Sequence, residues 1–212
     1  MQTIRRGKWL CLVDLVEGDR VFIGGNQGGV QQEHPIQLDT RDIAYIQTFD
    51  LAHSSIYSGM EQEIYKLKEA GILVSFDFSN EFDEAILESV CKHVDYSLLS
   101  CGEQTEEEVK EWLVKVHRYG SRLGIGTMGS RGALLYDGHR FYKQAPHYVQ
   151  PVDTMGAGDS FFTAFILHYV QEKSLGSKGD EAVLLTASLE AGARYASKTC
   201  LVEGAFGYGI SF

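Results

Sequence analysis

The sequence predicts an α/β fold in which helices cover both faces of a mostly parallel β-sheet. Short apolar strands alternate with amphipathic helices from residue 49 to residue 198, the pattern of a parallel sheet with crossover helices. The continuous apolar run ILVSFDF at 72–78 is typical of a strand buried on both faces. We expect one α/β domain at 31–212, with a small β-hairpin at 1–30 projecting from it.

The individual elements follow from turn and capping signals. Two strands, LCLVDLV and RVFIGG, flank a Glu-Gly-Asp turn, and a polar connection follows at 26–39. The capping box that begins at Thr105 marks a helix start, and Asp137-Gly138 marks the turn of a later hairpin. Further strands are predicted at 49–57, 72–78, 95–100 and 122–129, and helices at 61–71, 83–94, 105–120, 157–172 and 180–198.

Composition narrows the class of protein. The chain has 212 residues, of which 44% are hydrophobic and 23% charged, enough for one sizeable core. A formal net charge of −10 argues against binding to nucleic acid or an anionic membrane. The sequence shows neither a signal peptide nor a membrane span. The four cysteines have no CxxC spacing, so we interpret them as free thiols of a cytoplasmic protein.

The stretch PVDTMGAGDSFFTAF at 151–165 carries the strongest functional signal. Glycines at 156 and 158 let the backbone approach an anion, and a helix N-terminus presents unpaired N–H groups to it. Asp159 would repel that anion unless it takes a proton from a hydroxyl that attacks phosphorus. The pattern alone leaves two interpretations open: this catalytic one, and a glycine-rich helix entry with an Asp cap.

Two motifs resemble the ribokinase-like (PfkB) family of sugar and nucleoside kinases. DTMGAGDSF at 153–161 resembles the family signature D-T-x-G-A-G-D, and TMGSRGALLYDG at 127–138 resembles its nucleotide-binding strand-turn-strand. FDFSNEFD (76–83) and the C-terminal stretch 192–209 are most similar to the fructoselysine kinase branch of that family. The resemblance implies an ATP-dependent kinase that phosphorylates a primary hydroxyl of a ketose or fructosamine.

The resemblance also implies a role for each matching residue. Asp159 matches the general base, and Gly156, Ala157 and Gly158 match the anion hole for the γ-phosphate. The ATP site is implied at Thr127, Gly129 and Gly132, a monovalent-cation (K⁺) site beside Asp153, and a contact through water with Mg²⁺ at Glu103. The implied partner is a small sugar or sugar–amine, and the strands at 10–23 match an element through which family members dimerise.

The chain departs from the family pattern at three places. Ser100 stands where the family has the Asn of Asn-x-x-Glu, and Ser79 stands where Asp-x-Asn is frequent. One hydroxyl offers fewer hydrogen bonds than an amide, so we expect the contacts of these residues with metal and phosphate to be weaker or mediated by water. Roughly 70–90 residues of a typical member precede the part that matches. We therefore expect the hairpin at 1–30 to be the remnant of the family's lid and half of the sugar site to be absent.

Other residues carry weaker signals. Asp77 ends a buried strand, where it would bind substrate or water on magnesium, or simply cap the strand. Tyr57 and His53 also lie at a strand end, and we interpret them as packing or loop polarity rather than substrate contacts.

Two further functions remain as alternatives. One is a remnant that binds nucleotide without transferring phosphate. The other, a nicotinamide oxidoreductase, lacks a G-x-G-x-x-G after a first strand.

Overall fold

The computed structural model describes residues 11–16, 19–25, 34–176 and 179–204. In the first two of these ranges, strands β1 (Cys11–Val16) and β2 (Asp19–Gly25) pair antiparallel, with one register shift between Leu12 and Val13. The predicted N-terminal strand pair is thus present, although its turn lies outside the described residues. The division of the chain at residue 30 stays a prediction.

The main body is built on a six-stranded sheet whose strands neighbour one another in chain order. Its strands are β3 (Ala52–Ser55), β4 (Val74–Asp77), β5 (Tyr96–Ser100), β6 (Leu123–Thr127), β7 (Ala133–Tyr136) and β8 (Phe141–Gln144). The first four run parallel, and β7 and β8 add an antiparallel hairpin. The predicted α/β class and mostly parallel sheet are confirmed.

Six α-helices accompany this sheet in the described part of the chain. They are α1 (Thr40–Ile46), α2 (Ile64–Glu69), α3 (Glu84–Cys91), α4 (Glu106–Arg118), α5 (Ala157–Ser174) and α6 (Glu181–Thr199). Helix α1 was missed by the sequence analysis. It is only seven residues long, it packs Ile43 and Ile46 against the core without burying either fully, and its capping box uses Asp39 and Asp42 instead of the usual Ser or Thr with Glu.

Helices cover both faces of the sheet, as the sequence predicts. One apolar cluster joins Phe76 of β4 and Leu99 of β5 to helices α2, α3 and α4. The other joins Leu98 of β5 and Ile125 of β6 to α5 and α6. Leu98 and Leu99 are adjacent yet face opposite cores, because side chains alternate along a strand.

Helices α5 and α6 approach each other closely near the start of α5. A Cβ on Gly192 of α6 would lie 2.8 Å from the backbone oxygen of Phe161 in the first turns of α5. Only glycine fits at that separation, so Gly192 allows α6 to pack directly against the N-terminal part of α5. None of the described helices is both long and apolar enough to cross a membrane.

Candidate active site

Helix α5 opens from a left-handed glycine. Gly156 is the N-cap residue at φ +75°, a conformation that glycine adopts without steric cost. The N–H of Ala157 donates to the carbonyl of Thr154 at 3.1 Å, and Ser160 N–H donates to Gly156 at 2.9 Å. The amides between them, those of Gly158 and Asp159, lie in the first turn, where a helix offers them no acceptor. The N-terminus of α5 therefore carries the positive end of the helix dipole together with backbone N–H groups that can donate to a ligand.

The backbone at Gly158 faces open space. No heavy atom lies within 4 Å of the position that a Cβ on this residue would take. Fold packing therefore does not require glycine here. The feature that remains is an uncovered stretch of backbone at a helix N-terminus, which suits the close approach of an anion.

Asp159 is exposed in the first turn of α5. Among the described residues, its carboxylate takes part in no hydrogen bond and no ion pair. It does not cap the helix, since the N-cap position is held by Gly156 and no side chain bonds there. The capping interpretation of Asp159 is therefore not supported by the geometry, and the carboxylate is available to a ligand.

A second carboxylate lies near Asp159. Asp77 ends β4, and its Oδ1 accepts the backbone N–H of Ser79 at 2.7 Å. Burial raises the pKa of Asp77 to about 6; the hydrogen bond from Ser79 opposes the rise and the charge of Asp159 adds to it. The sequence left Asp77 open between a ligand contact and a strand cap; in the structure it accepts a hydrogen bond from the turn after its own strand and lies within electrostatic range of Asp159.

His53 completes this group from the neighbouring strand β3. Its Nδ1 lies 2.9 Å from the hydroxyl of Ser75, and its ring lies 5.7 Å from that of Phe162, one turn beyond Asp159. Burial lowers the pKa of His53, and the charge of Asp159 works in the opposite direction. The sequence alone favours packing for this residue. It is the second residue of β3 and pairs with Ser75, two residues before Asp77 on the neighbouring strand.

The loop after β4 is held in an unusual conformation. Ser79 has φ +52° and is the one non-glycine residue with positive φ in the part of the chain that the structure describes. The hydroxyl of Tyr57, which follows β3, donates to Ser79 Oγ at 3.2 Å. Strained backbone of this kind costs free energy and is concentrated at functional sites. Tyr57 and Ser79 thus link the ends of β3 and β4 around Asp77.

The second motif forms a tight turn between β6 and β7. Thr127 ends β6, residues Gly129–Arg131 form a single 3₁₀ turn, and the N–H of Met128 donates to Gly132 at 2.8 Å. Gly132 has φ +91°, and a Cβ there would lie 2.0 Å from the carbonyl oxygen of Gln144. Glycine is thus required by the fold at 132, and the turn lies at the same sheet edge as Asp77.

Asp153 is buried in the segment that leads into α5. Its Oδ1 accepts the N–H of Met155 at 2.9 Å, and its Oδ2 accepts that of Gly204 at 2.7 Å. Both carboxylate oxygens therefore bind backbone. Asp153 shapes this loop and ties it to the chain beyond α6.

Glu103 is exposed on the loop between β5 and α4. The guanidinium of Arg131 donates to the carbonyls of Cys101, at 3.2 Å, and Gly102, at 2.9 Å, which ties this loop to the turn after β6. In the described ranges no three His, Cys, Asp or Glu side chains converge as a metal site.

The fold and these motifs define a kinase-like α/β protein, and comparison with known proteins gives the family. Residues 64–206 match the model of the pfkB family carbohydrate kinases. The chain is 35% identical over 205 residues to fructosamine kinase FrlD of Bacillus subtilis, covering 96% of this chain and 68% of that protein. Fructoselysine 6-kinase of Escherichia coli is 30% identical over 194 residues, covering 92% of this chain and 69% of that protein. The chain belongs to the pfkB family of carbohydrate kinases.

Solved structures agree on the fold. The microbiome-derived acarbose kinase Mak1 superposes with a TM-score of 0.70 at 22% identity, over 92% of this chain and 63% of that one. Fructokinase of Vibrio cholerae O395, bound to fructose, ADP and potassium, superposes with a TM-score of 0.64 at 19% identity, over 96% of this chain and 70% of that one. Arabidopsis thaliana ribokinase, bound to ribose and ATP, superposes with a TM-score of 0.61 at 20% identity, over 82% of this chain and 57% of that one.

These comparisons test two of the predictions made from the sequence. The ribokinase-like fold is confirmed, and the enzyme class, an ATP-dependent carbohydrate kinase, is confirmed at the level of the family. The chain spans 63% of the acarbose kinase and 57% of the ribokinase to which it is similar. The activity of this chain and the roles of its residues are therefore taken up as proposals.

Proposed function

We propose that this chain is an ATP-dependent sugar kinase that phosphorylates a primary hydroxyl of a ketose or fructosamine. The observation that carries the proposal is Asp159, an exposed carboxylate without a protein partner among the described residues, placed beside a glycine turn at a helix N-terminus. An anion site and a proton acceptor side by side are what in-line phosphoryl transfer to an alcohol requires. The names of the two curated relatives support the sugar class.

In this proposal Asp159 is the general base. The acceptor hydroxyl gives its proton to the carboxylate as its oxygen forms a bond to the γ-phosphorus of ATP. The bond from that phosphorus to the β,γ-bridging oxygen breaks, and ADP leaves with the electron pair. The first turn of α5 stabilises the charge on the transferring group. Because the amide of Ala157 already donates to Thr154, Gly158 and the amide after it are the donors that remain for the phosphoryl oxygens.

The nucleotide is assigned to the turn between β6 and β7. Thr127 ends β6, and Gly129 and Gly132 shape the turn that follows at the carboxyl end of that strand, which is where α/β proteins of this kind bind ligands. A bound Mg²⁺ ion would neutralise phosphate charge, with Glu103 orienting a water on it. A monovalent cation such as K⁺ would lie beside the loop that Asp153 shapes.

The test is the direct detection of sugar phosphate. The purified 212-residue chain is incubated with Mg-ATP and either fructoselysine or fructose, and the products are identified by mass spectrometry and ³¹P NMR. We expect a sugar monophosphate carrying the phosphoryl group on the primary hydroxyl, together with equimolar ADP. ATP that binds without forming any sugar phosphate would contradict the proposal and favour a nucleotide-binding protein. Formation of ADP and inorganic phosphate alone would also contradict it.

A further inference from the structure

Residues 156–159, the candidate catalytic turn, are open on the side where a ligand would bind. Gly156 has φ +75°, and a Cβ on Gly158 would meet no heavy atom within 4 Å. Asp159 is exposed. The position of this turn therefore depends on the contacts of the residues that flank it.

The residues before the turn are bound by the chain that follows α6. The carbonyl oxygen of Cys200 accepts the backbone N–H groups of Val152, at 2.8 Å, and Asp153, at 3.3 Å. The N–H of Gly204 donates to Asp153 Oδ2 at 2.7 Å. These hydrogen bonds fix the segment that leads into Gly156.

The residue after the turn is bound by the last residue of α6. The hydroxyl of Thr199 donates to Ser160 Oγ at 2.8 Å, and a longer contact of 3.4 Å joins it to the carbonyl of Tyr195. A threonine has one hydroxyl proton, and the shorter distance directs it to Ser160. Thr199 is 7% exposed, so water competes little for this bond.

The end of α6 thus binds the chain both before and after the candidate catalytic turn. The two helices are also in direct contact at this level, since a Cβ on Gly192 would lie 2.8 Å from the backbone oxygen of Phe161. A side chain at the end of α6 can therefore influence the orientation of Asp159 without touching a ligand. A displacement of about 1 Å at a catalytic group can slow a reaction about a hundredfold.

We propose that Thr199 is a positioning residue, which acts through Ser160 to orient the candidate catalytic turn. The inference rests on the proposed kinase function and adds to it the residue that holds Asp159 toward the acceptor hydroxyl and the amide of Gly158 toward the phosphoryl group. Thr199 is buried where the two helices meet, so its effect on the reaction is indirect.

The alternative is that this hydrogen bond contributes only to the packing of α5 against α6. A second bond joins the same two helices further along, where His168 Nδ1 lies 2.9 Å from the hydroxyl of the buried Ser188. His168 is more than two turns beyond Asp159, about 14 Å along the helix. Removing each bond in turn therefore distinguishes a positioning role from a packing role.

The test compares the two bonds by kinetics with the sugar that the wild type phosphorylates. Thr199→Val removes the hydroxyl and keeps the shape of the side chain. We expect its kcat to fall about tenfold or more, while its Kd for ATP changes less than about threefold. Thr199→Ser keeps a hydroxyl and should restore kcat to within about threefold of wild type. Ser188→Ala, the matched control, should keep kcat within about twofold of wild type.

A double-mutant cycle checks that the effect passes through Ser160. Ser160→Ala removes the acceptor of the bond, so the double variant should lose no more activity than either single variant. Independent losses that multiply would show that Thr199 acts by another route and would overturn the assignment. Full kcat in Thr199→Val, or equal losses in Thr199→Val and Ser188→Ala, would also overturn it.

Hydrogen exchange measured by NMR separates this inference from the proposed catalysis. The amides of Ala157 and Ser160 donate to backbone carbonyls in the ligand-free chain. They should exchange at least about fivefold faster in Thr199→Val than in wild type, and Ser188→Ala should not change them. This result in a chain that forms no sugar phosphate would support the role of Thr199 in holding the turn and contradict the kinase proposal. Unchanged exchange in Thr199→Val would overturn that role, whether or not the chain is a kinase.

Discussion

Asp153 accepts a hydrogen bond from the backbone amide of Gly204, 51 residues further along the chain, at 2.7 Å. The same carboxylate accepts the N–H of Met155 at 2.9 Å. One buried side chain therefore joins the loop that enters α5 to the chain that leaves α6. The position of the candidate anion site depends on this connection, since Gly156 follows Met155 directly.

Replacing Asp153 tests that connection. Asp153→Ala would leave two backbone amides without their acceptor in a buried environment, so we expect the free energy of unfolding to fall by about 2–4 kcal/mol. Urea denaturation followed by circular dichroism measures the change. Asp153→Asn keeps one acceptor oxygen and should lose less. Equal stability of wild type and Asp153→Ala would show that the two hydrogen bonds do not hold this loop.

The two glycines of the turn between β6 and β7 should differ in how well they tolerate replacement by alanine. At Gly132 a Cβ would lie 2.0 Å from the carbonyl oxygen of Gln144, and φ is +91°. We expect Gly132→Ala to destabilise the fold by about 3 kcal/mol or more. At Gly129 φ is also positive, but no heavy atom lies within 4 Å of a Cβ, so Gly129→Ala should cost only about 1–2 kcal/mol. Thermal denaturation of the two variants distinguishes the steric clash expected at Gly132 from the backbone strain expected at Gly129. Similar losses of stability in both variants would contradict the close approach at Gly132.

Replacing Gly158 should reduce activity without reducing the stability of the fold. Its Cβ would meet no atom within 4 Å, and alanine favours the helix over glycine by up to about 1 kcal/mol. Gly158→Ala should therefore unfold at the same or a higher temperature than wild type. The added methyl group would nevertheless lie where the proposed phosphoryl group binds, so kcat should fall at least about tenfold. A stable variant with full kcat would move the anion site elsewhere.

The pH dependence of stability should report Asp77. Its pKa in the folded state is raised to about 6, against about 4 in an unfolded chain. Between these values the folded state binds more protons, so the contribution of Asp77 to the free energy of unfolding falls as pH rises. It falls by at most about 3 kcal/mol and is constant again above the folded pKa.

The Asp77→Asn variant has no carboxyl group at this position, so this pH-dependent contribution is absent. The variant should therefore be more stable than wild type at pH 7.5, and the difference should shrink toward pH 4. Urea denaturation of both proteins across this range measures the difference. A difference that does not change with pH would contradict the raised pKa.

The sequence identified local features better than long-range ones. The glycines at 156 and 132 were recognised because a turn at a helix start and a tight strand-turn-strand are coded by adjacent residues. The capping box at Thr105 was confirmed for the same reason. Helix α1 was missed because it has only seven residues, and its single apolar pair, Ile43 and Ile46, is too short a pattern to indicate a helix.

The grouping of His53 and Asp77 near Asp159 could not be predicted from the sequence. His53 and Asp77 approach Asp159 only because β3 and β4 are neighbours in the sheet and α5 packs Phe162 against His53. None of these relations is local in the chain. The bond from Gly204 to Asp153 is equally distant, so the resemblance that marked Asp153 for a cation site gave no sign of its structural role.

The central claim is that Asp159 takes the proton from the acceptor hydroxyl during phosphoryl transfer. The most direct measurement compares sugar-dependent ADP release by wild type and Asp159→Asn, with the nucleotide Kd determined on the same samples. General-base catalysis contributes typically 10²–10⁴-fold, so we predict that kcat falls by about that factor while the Kd changes less than about threefold. Turnover retained in Asp159→Asn would contradict the account.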